Sequence, residues 1–474
     1  MKIKVLQRDP AIYEGNRRDS IRRLFHNPDP RLHPFERARE YTRALTSVKL
    51  RKMFAKPLVS VLEGHIDTVK CIARAHHNVS DIYSGSFDGS IRYWNLGSQD
   101  KCEYMIRAHE GALRGICVTS NDKYIFSCGD DKKLQMWKIE KREDVKLMDI
   151  NCLTDRGNDQ DNSNGYDNLG NFRKQIISEN IFHSPCQLYS VDHHWNKSTL
   201  ISSGISGIQV WDHNRNTPIQ VFDWGSDTVY TAKINPSEPY IVATTASDNS
   251  IGLFDIRSST PLRKLIMNNK GNAICWNPQQ PLNFTVANDD SMLYTFDMRK
   301  LNSARFIYKG FVQAVLDIDY SPTGNSFVAG SRDNTIRIFN IDQGFSRDVY
   351  HTKRMQHVWS TKYTADAKFI VSGSSDFCIR LWKNDASQSL GPRVYRERQT
   401  LAYRNKLIEK YQHLPEIKRI ARYHHIPKII KSIQERKLTQ INAQKKREEN
   451  MRIHSKNKLK PTPERQKPVK VILE

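Results

Sequence analysis

The sequence predicts an all-β core, a seven-bladed β-propeller, with an extended-to-helical N-terminal arm before it and a basic α-helical tail after it. Strand-ending aromatics recur at Trp94, Trp137, Trp211, Phe254, Phe296, Phe339 and Trp382, at intervals of 43, 74, 43, 42, 43 and 43 residues. Five of these match the period of about 40–45 residues that marks WD40 repeats. Six residues before each aromatic stand Asp88, Asp131, Ile205, Asp248, Asp290, Asp333 and Asp376, so only the third unit lacks Asp. Segments such as Ile91–Trp94 and Ile336–Phe339 alternate β-branched and polar residues, as strands do. Seven such units close into a ring that leaves only short, protected edges.

Residues 1–60 form the first region, an arm with 15 Lys/Arg against 6 Asp/Glu. Prolines punctuate 27–34, after which Ala44, Leu45, Val48, Leu50, Met53 and Phe54 take helical spacing. So many large apolar residues suit an arm that docks on something better than a solvated tail.

Residues 61–383 are the propeller, with 36 residues of each charge sign. The first unit carries His65, Ser84, Asp88 and Trp94, and the second His109, Asp131 and Trp137. A turn Asp can hold a hairpin by accepting nearby backbone N–H groups. In WD40 proteins it also belongs to a buried network with a His, a Ser or Thr and the Trp, and these two units resemble that pattern. Asp248, Asp290, Asp333, Asp376 and Trp382 extend it through the later units, which lack the His. The 74-residue interval marks an insertion, placed between blades two and three at about 151–175 and rich in Asn, Asp and Gly. With almost nothing apolar to bury, it reads as a surface loop.

From 384 to 474 the period shifts from 2 to 3.6. Tyr403, Leu407 and Tyr411 share one helical face, Pro415 and Pro427 each open a further helical stretch, and a last helix over Lys428–Arg452 runs out into basic coil. This tail holds 23 Lys/Arg against 9 Asp/Glu, so the two arms carry the whole +23 excess of the chain.

Such an excess points to a polyanion. The tail fits a solvated helix, a membrane-surface helix or an insertion into a ribonucleoprotein. Absence of Trp and the proline breaks count against a membrane. Interleaved Lys/Arg, His and Tyr, able to meet phosphates and stack on unpaired bases, favour the ribonucleoprotein. The candidate contacts are Arg37 and Arg39 in the arm, and Lys418, Arg419, Arg422, His424, His425 and Lys428 in the tail. Lys353 and Arg354 are the basic spot singled out in the propeller, where an RNA contact and a plain blade-surface turn stand even.

No P-loop, G-x-S-x-G, H-E-x-x-H or metal-ligand cluster appears, so no catalytic residue, cofactor, metal or small-molecule substrate is expected. Adjacent strand residues face opposite ways, which argues against His76–His77 or His193–His194 sharing an ion. Eight scattered cysteines without C-x-x-C pairs suit a reducing compartment. The first residues lack a signal-peptide apolar run and no stretch of about 18 apolar residues exists, so a soluble intracellular protein is expected.

Five motifs then coincide: LHPFERAREY (Leu32–Tyr41), FAKP (Phe54–Pro57), AICWNP (Ala273–Pro278), YHTKRMQHV (Tyr350–Val358) and PEIKRIAR (Pro415–Arg422). They resemble the Sof family, the suppressor-of-fibrillarin group of WD40 proteins, from the arm through the propeller into the tail. The resemblance implies a nucleolar assembly scaffold of the small-subunit processome. Its implied partners are pre-rRNA or U3 small nucleolar RNA and other processome proteins, and its implied task is 18S pre-rRNA processing and 40S subunit biogenesis. The Asn/Asp-rich insertion and short basic C-terminus depart from the family. Animal members also resemble substrate receptors of cullin-four ubiquitin ligases, which use a W-D-x-R-type blade ending. Here Phe254-Asp255-Ile256-Arg257 and Phe296-Asp297-Met298-Arg299 have that shape with Phe for Trp, making Arg257 and Arg299 the candidate ligase-adaptor contacts.

Overall fold

The repeat pattern becomes seven antiparallel sheets in a computed structural model that describes residues 35–97, 102–139, 178–223, 228–258, 260–455 and 462–473. Blade one runs outward from β2 (Val69–Arg74) through β3 (Asp81–Ser86) and β4 (Ser90–Asn95) to β5 (Cys102–Arg107). Blade two has β6 (Leu113–Val118), β7 (Tyr124–Gly129), β8 (Lys133–Lys138) and β9 (Ser178–His183). Blade three has β10 (Leu188–His193), β11 (Thr199–Gly204), β12 (Gly207–Asp212) and β13 (Arg215–Phe222). Blade four has β14 (Val229–Ile234), β15 (Ile241–Ala246), β16 (Ser250–Asp255) and β17 (Pro261–Met267). Blade five comprises β18 (Gly271–Trp276), β19 (Asn283–Asn288), β20 (Leu293–Asp297) and β21 (Phe306–Tyr308). Blade six comprises β22 (Val315–Tyr320), β23 (Ser326–Ser331), β24 (Ile336–Asn340) and β25 (Ser346–Tyr350). Blade seven is β26 (Val358–Tyr363), β27 (Phe369–Ser374) and β28 (Ile379–Lys383), and its outer strand is β1 (Leu58–Leu62), the segment that precedes blade one in the sequence.

The repeating aromatics hold neighbouring blades together. Trp94 is fully buried with Leu62, Val69, Ile72, Ile379 and Leu381, a cluster that joins blade one to blade seven. Trp211 fills the same role with Phe182, Leu188 and Leu200 between blades two and three. Non-directional burial of this kind stabilises the ring wherever an apolar ring sits at that position, so Phe replaces Trp in blades four to six without breaking it.

The turn aspartates act through backbone geometry. In five blades the carboxylate accepts the N–H two residues on, from Ser90, Lys133, Ser250, Met292 and Thr335, at 2.8–3.2 Å. The residue between takes positive φ, as Gly89, Lys132, Asn249, Ser291 and Asn334 do. Such an Asx turn sets the hairpin without needing the rest of a buried network.

The described residues divide into two units. One is the propeller with residues 426–474, and the other joins the N-terminal segment through Pro57 to Asp385–His425. In this second unit, α1 (Glu36–Met53), α2 (Tyr395–Tyr411) and α3 (Pro415–Arg422) surround a small core of Ala44, Val48, Leu407 and Ile417. Acidic Glu36 opens α1 and basic Arg51 and Lys52 close it, each matched to the helix dipole, while Pro415 starts α3 where its missing N–H costs nothing. The arm therefore docks on the first half of the chain's own tail.

The structure corrects three expectations. The insertion does not separate blades two and three: β8 and β9 flank it within one sheet, and residues 151–175 themselves lie outside the described residues. The tail from 384 to 474 is not one body, since it divides after His425 between the two units. Nor does it end as coil. Following α4 (Lys428–His454), β29 (Val469–Leu473) pairs antiparallel with β17 as a fifth strand on blade four. The run Val-Lys-Val-Ile-Leu has the β-branched composition of a strand, and an open sheet edge supplies its partner.

Candidate functional site

Three surfaces carry the polar chemistry. The first is the outside of the helical unit, whose described residues include 16 Lys/Arg against 6 Asp/Glu. Burial of Ala44, Val48, Leu407 and Ile417 turns the charged faces outward, so Arg37, Arg39, Lys418, Arg419 and Arg422 are exposed. His425 is exposed and His424 half-buried at the end of this unit, whereas exposed Lys428 opens α4 in the other. The sequence-based set is thus divided between two bodies. Internal bonds fix the helices: Tyr41 donates to Glu416 at 2.5 Å, and Lys410 and Tyr411 both donate to Glu40 at 2.7 Å. Those two hydrogen bonds hold the Glu40 carboxyl below its ordinary range.

The second surface is the pair of turns after β16 and β20. Arg257 forks onto Asp255 at 3.2 and 3.0 Å, and Arg299 repeats the same two bonds onto Asp297 at the same distances. Both guanidinium side chains stay 65% exposed. Arg257 also lies 4.4 Å from the Tyr240 ring centroid, and Arg263 on β17 donates to the Arg299 carbonyl at 3.1 Å, linking blade four to the turn after β20. Lys353 and Arg354 are exposed in the connection from β25 to β26.

The third surface was missed by sequence reasoning. Each of the seven innermost strands has a register skip after its first residue, which leaves Lys70, Arg114, Tyr189, Tyr230, Asn272, Leu316 and Trp359 unpaired. Bulges re-aim side chains, and here several of them meet across blade boundaries. Lys70 Nζ lies 4.2 Å from the Trp359 centroid, Arg114 5.6 Å from that of Tyr189, and the Tyr189 and Tyr230 rings are 5.8 Å apart edge-on. Asn272 donates to the Val315 carbonyl at 2.9 Å. The signal was present as the second residue of each inner strand, but it repeats in position and not in residue type.

The buried networks are less uniform than the repeat suggests. Blade two is complete: His109 Nδ1 meets both Asp131 oxygens at 2.9 Å, its Nε2 meets Ser127 Oγ at 2.8 Å, and Trp137 donates to that hydroxyl at 3.0 Å. In blade one the link between His65 and Asp88 is absent. His65 Nε2 meets Ser84 at 2.6 Å, but its buried Nδ1 has no partner and Asp88 instead binds Ser90. Burial, reinforced by Arg92, lowers the His65 pKa to about 4. Blade three, without its Asp, uses Gln209, which meets Ser184 at 3.1 Å and Ser206 at 2.8 Å. Asp248 pairs with Lys264 at 2.9 Å, Asp290 accepts from Tyr294 at 2.5 Å, Asp333 accepts from Val312 N–H at 3.2 Å, and Asp376 holds Arg380. Trp382 donates to Ser372 at 2.8 Å.

No group of three metal-ligating side chains occurs among the described residues, and no described helix is long and apolar enough to cross a membrane. All seven described cysteines are free thiols.

Comparison with known proteins matches this architecture. The Sof1-like domain model covers residues 384–469, and the WD domain, G-beta repeat model covers 56–95, 100–138, 303–340 and 349–383. DDB1- and CUL4-associated factor 13 of Danio rerio is 42% identical over 457 residues, 96% of each chain. Protein SOF1 of Saccharomyces cerevisiae is 39% identical over 464 residues, 95% of this chain and 91% of that one. Among solved structures, the WD40 β-propeller domain of Doa1 superposes with a TM-score of 0.55 over 70% of this chain and 97% of that one, at 18% identity, a likeness of fold alone. A propeller with this tail, alike to these relatives over nearly its whole length, belongs to the Sof family of WD40-repeat proteins.

Proposed function

We propose that the chain is a non-catalytic assembly scaffold of the small-subunit processome, acting in the nucleolus on 18S pre-rRNA processing and 40S subunit biogenesis. In this reading the propeller holds proteins and the basic helices meet pre-rRNA or U3 small nucleolar RNA. The observation that carries it is the segregation of charge along the chain: the helical unit has 16 basic and 6 acidic described residues, whereas residues 61–383 hold 36 of each sign. Exposed cations on a folded helical surface gain affinity by releasing counterions from phosphates. Membership of the Sof family, whose resemblance implies work in the small-subunit processome, supports the assignment to ribosome assembly.

The test is crosslinking of the full chain to RNA in cells, with sequencing of what is bound. Replacing Lys418, Arg419, Arg422 and Lys428 by Ala should weaken recovery of pre-rRNA and U3 RNA. It should also reduce the salt slope of binding by roughly 0.7 for each single-strand phosphate that is no longer neutralised. Unchanged crosslinking in that variant removes the tail from the RNA interface.

A second reading is favoured by the matched Asp255–Arg257 and Asp297–Arg299 turns. Relatives named as DDB1- and CUL4-associated factors support an additional role as a receptor for a cullin-four ligase. Arg257→Ala with Arg299→Ala should abolish co-purification of the ligase adaptor and leave pre-ribosome sedimentation intact. Failure of the unmodified chain to recover any adaptor sinks this role.

A further inference from the structure

A cleft of about 470 Å³ opens within the helical unit, between the end of α1, residues 385–393 and α2. Three guanidinium groups line it, from Arg51, Arg393 and Arg404, with Asp385 the one carboxylate. Two of the three are held in place. Arg51 donates to Asp385 at 3.1 Å and Ser387 at 3.2 Å, and Arg393 donates to Ser389 at 3.0 Å. Arg404 has no hydrogen-bond or ion-pair partner among the described residues, and neither has the carboxamide of Asn405 beside it. Phe54, which follows the last turn of α1, joins the lining with 70% of its surface exposed.

An exposed aromatic, a free arginine and a free carboxamide around one cleft form a specific combination. A guanidinium with unused donors matches a phosphate, a bare ring gives a base a face to stack on, and an amide can donate to and accept from a base edge. The volume lies within the range of pockets that hold drug-sized ligands, far more than a lone phosphate group needs. A phosphorylated side chain would use the arginines but leave Phe54 and Asn405 idle. The excess of cations over anions across the same unit suits a chain of phosphates.

We propose that this cleft holds one unpaired nucleotide of a single-stranded RNA, with the phosphate at Arg404 and Arg393, the base on Phe54 and the base edge at Asn405. The proposal rests on the reading that the helical unit faces RNA, and it adds a defined subsite that none of the sequence-predicted contacts occupies. Arg51, tied to Asp385, is a positioning residue for the wall and not itself a phosphate ligand.

The experiment measures anisotropy of a labelled single-stranded oligoribonucleotide and of an RNA duplex on the full chain, as unmodified protein and as three variants. These are Phe54→Ala, Arg404→Glu and, outside the cleft, Lys418→Glu with Arg419→Glu. Phe54 and Arg404 are exposed, so their variants should melt like the unmodified chain. Phe54→Ala should weaken single-strand binding roughly 5- to 150-fold, the range for losing one stacked base, while duplex binding hardly changes. Arg404→Glu should weaken it at least as much, and Arg404→Lys should restore part of the affinity. Photocrosslinking of 4-thiouridine RNA should place the adduct on Phe54 or its neighbours. If the outer-face variant loses RNA and the cleft variants bind normally, the cleft proposal falls while the RNA reading stands. If no variant changes binding, both fall. Arg404-dependent capture of a phosphoserine peptide, with no effect on RNA, overturns the proposal in favour of a phosphoprotein.

Discussion

The propeller and the helical unit both bury apolar side chains but treat charge in opposite ways. The propeller pairs charges at its blade seams, half-buried: Lys233 reaches Asp192 at 2.8 Å between blades three and four, and Lys362 reaches Asp319 at 2.9 Å between blades six and seven. The helical unit buries four apolar side chains and turns its cations outward. The first arrangement uses its charges to hold blades in register, since a buried ion must be partnered or it destabilises. The second leaves charge available for an outside anion. Net charge alone hides this difference; its location and pairing reveal it.

The contrast can be broken most forcefully at the cores. Trp382→Ala, which empties the fully buried site next to the ring closure, should cost about 3–5 kcal/mol and lower the main thermal transition of the chain. Ile417→Ala should cost about 2–5 kcal/mol, but within the helical unit. Calorimetry with limited proteolysis distinguishes the two. The Ile417 variant should expose residues 36–53 and 385–425 to protease while the propeller transition stays put. A single transition that shifts equally for both variants would falsify their independence.

The next effect is in acid and belongs to the propeller. Burial depresses His65 and His193 to about 4 from an ordinary value near 6.5. Between those values the unfolded chain binds protons that the folded chain refuses, so stability is complete above about pH 6.5 and declines as pH falls towards 4. Chemical unfolding midpoints at pH 7, 5.5 and 4.5 should decline in that order, and His65→Gln should flatten the slope. An unchanged slope in that variant would exclude His65 as a contributor.

The smallest effect lies where the tail meets blades. Glu464 accepts from Lys309 at 2.7 Å and Lys445 at 2.9 Å, hydrogen bonds that pull its carboxyl down to about 2. Its contribution is present above the ordinary value of 4.5 and lost only as pH falls towards 2. Because all three groups are partly exposed, Glu464→Gln should cost less than about 1 kcal/mol. Faster amide exchange at Val469–Leu473, with the rest of the propeller unaffected, is the expected sign.

Much of the propeller was legible because one physical demand repeats seven times. Each blade needs a buried ring at the end of its third strand and a tight turn before it, so aromatics and Asp recur at a fixed distance. What occurs once was not legible. β29 shows only four apolar residues around Lys470 that find their edge about 200 residues upstream, and the pairing of α1 with α2 and α3 depends on faces that look merely amphipathic when read alone. The missing His65–Asp88 bond was invisible for another reason: residue types match the pattern, but Asp88 is already satisfied by Ser90. The candidate RNA-binding residues were legible as charge, whereas the cleft around Phe54 and Arg404 needed two segments more than 300 residues apart in sequence to be brought together.

The ring closure also has a history in time. β1 at residues 58–62 emerges early in synthesis, yet its partner β28 at 379–383 follows more than 300 residues later. Pairing across so long a loop is slow, since closure entropy must be met before any pairing rewards it. In the interval the nascent chain displays β1 without a mate and a growing row of blades with an uncovered end. Its vulnerability to aggregation and its demand for chaperones should therefore peak just before blade seven is made and drop once residues near 383 leave the ribosome.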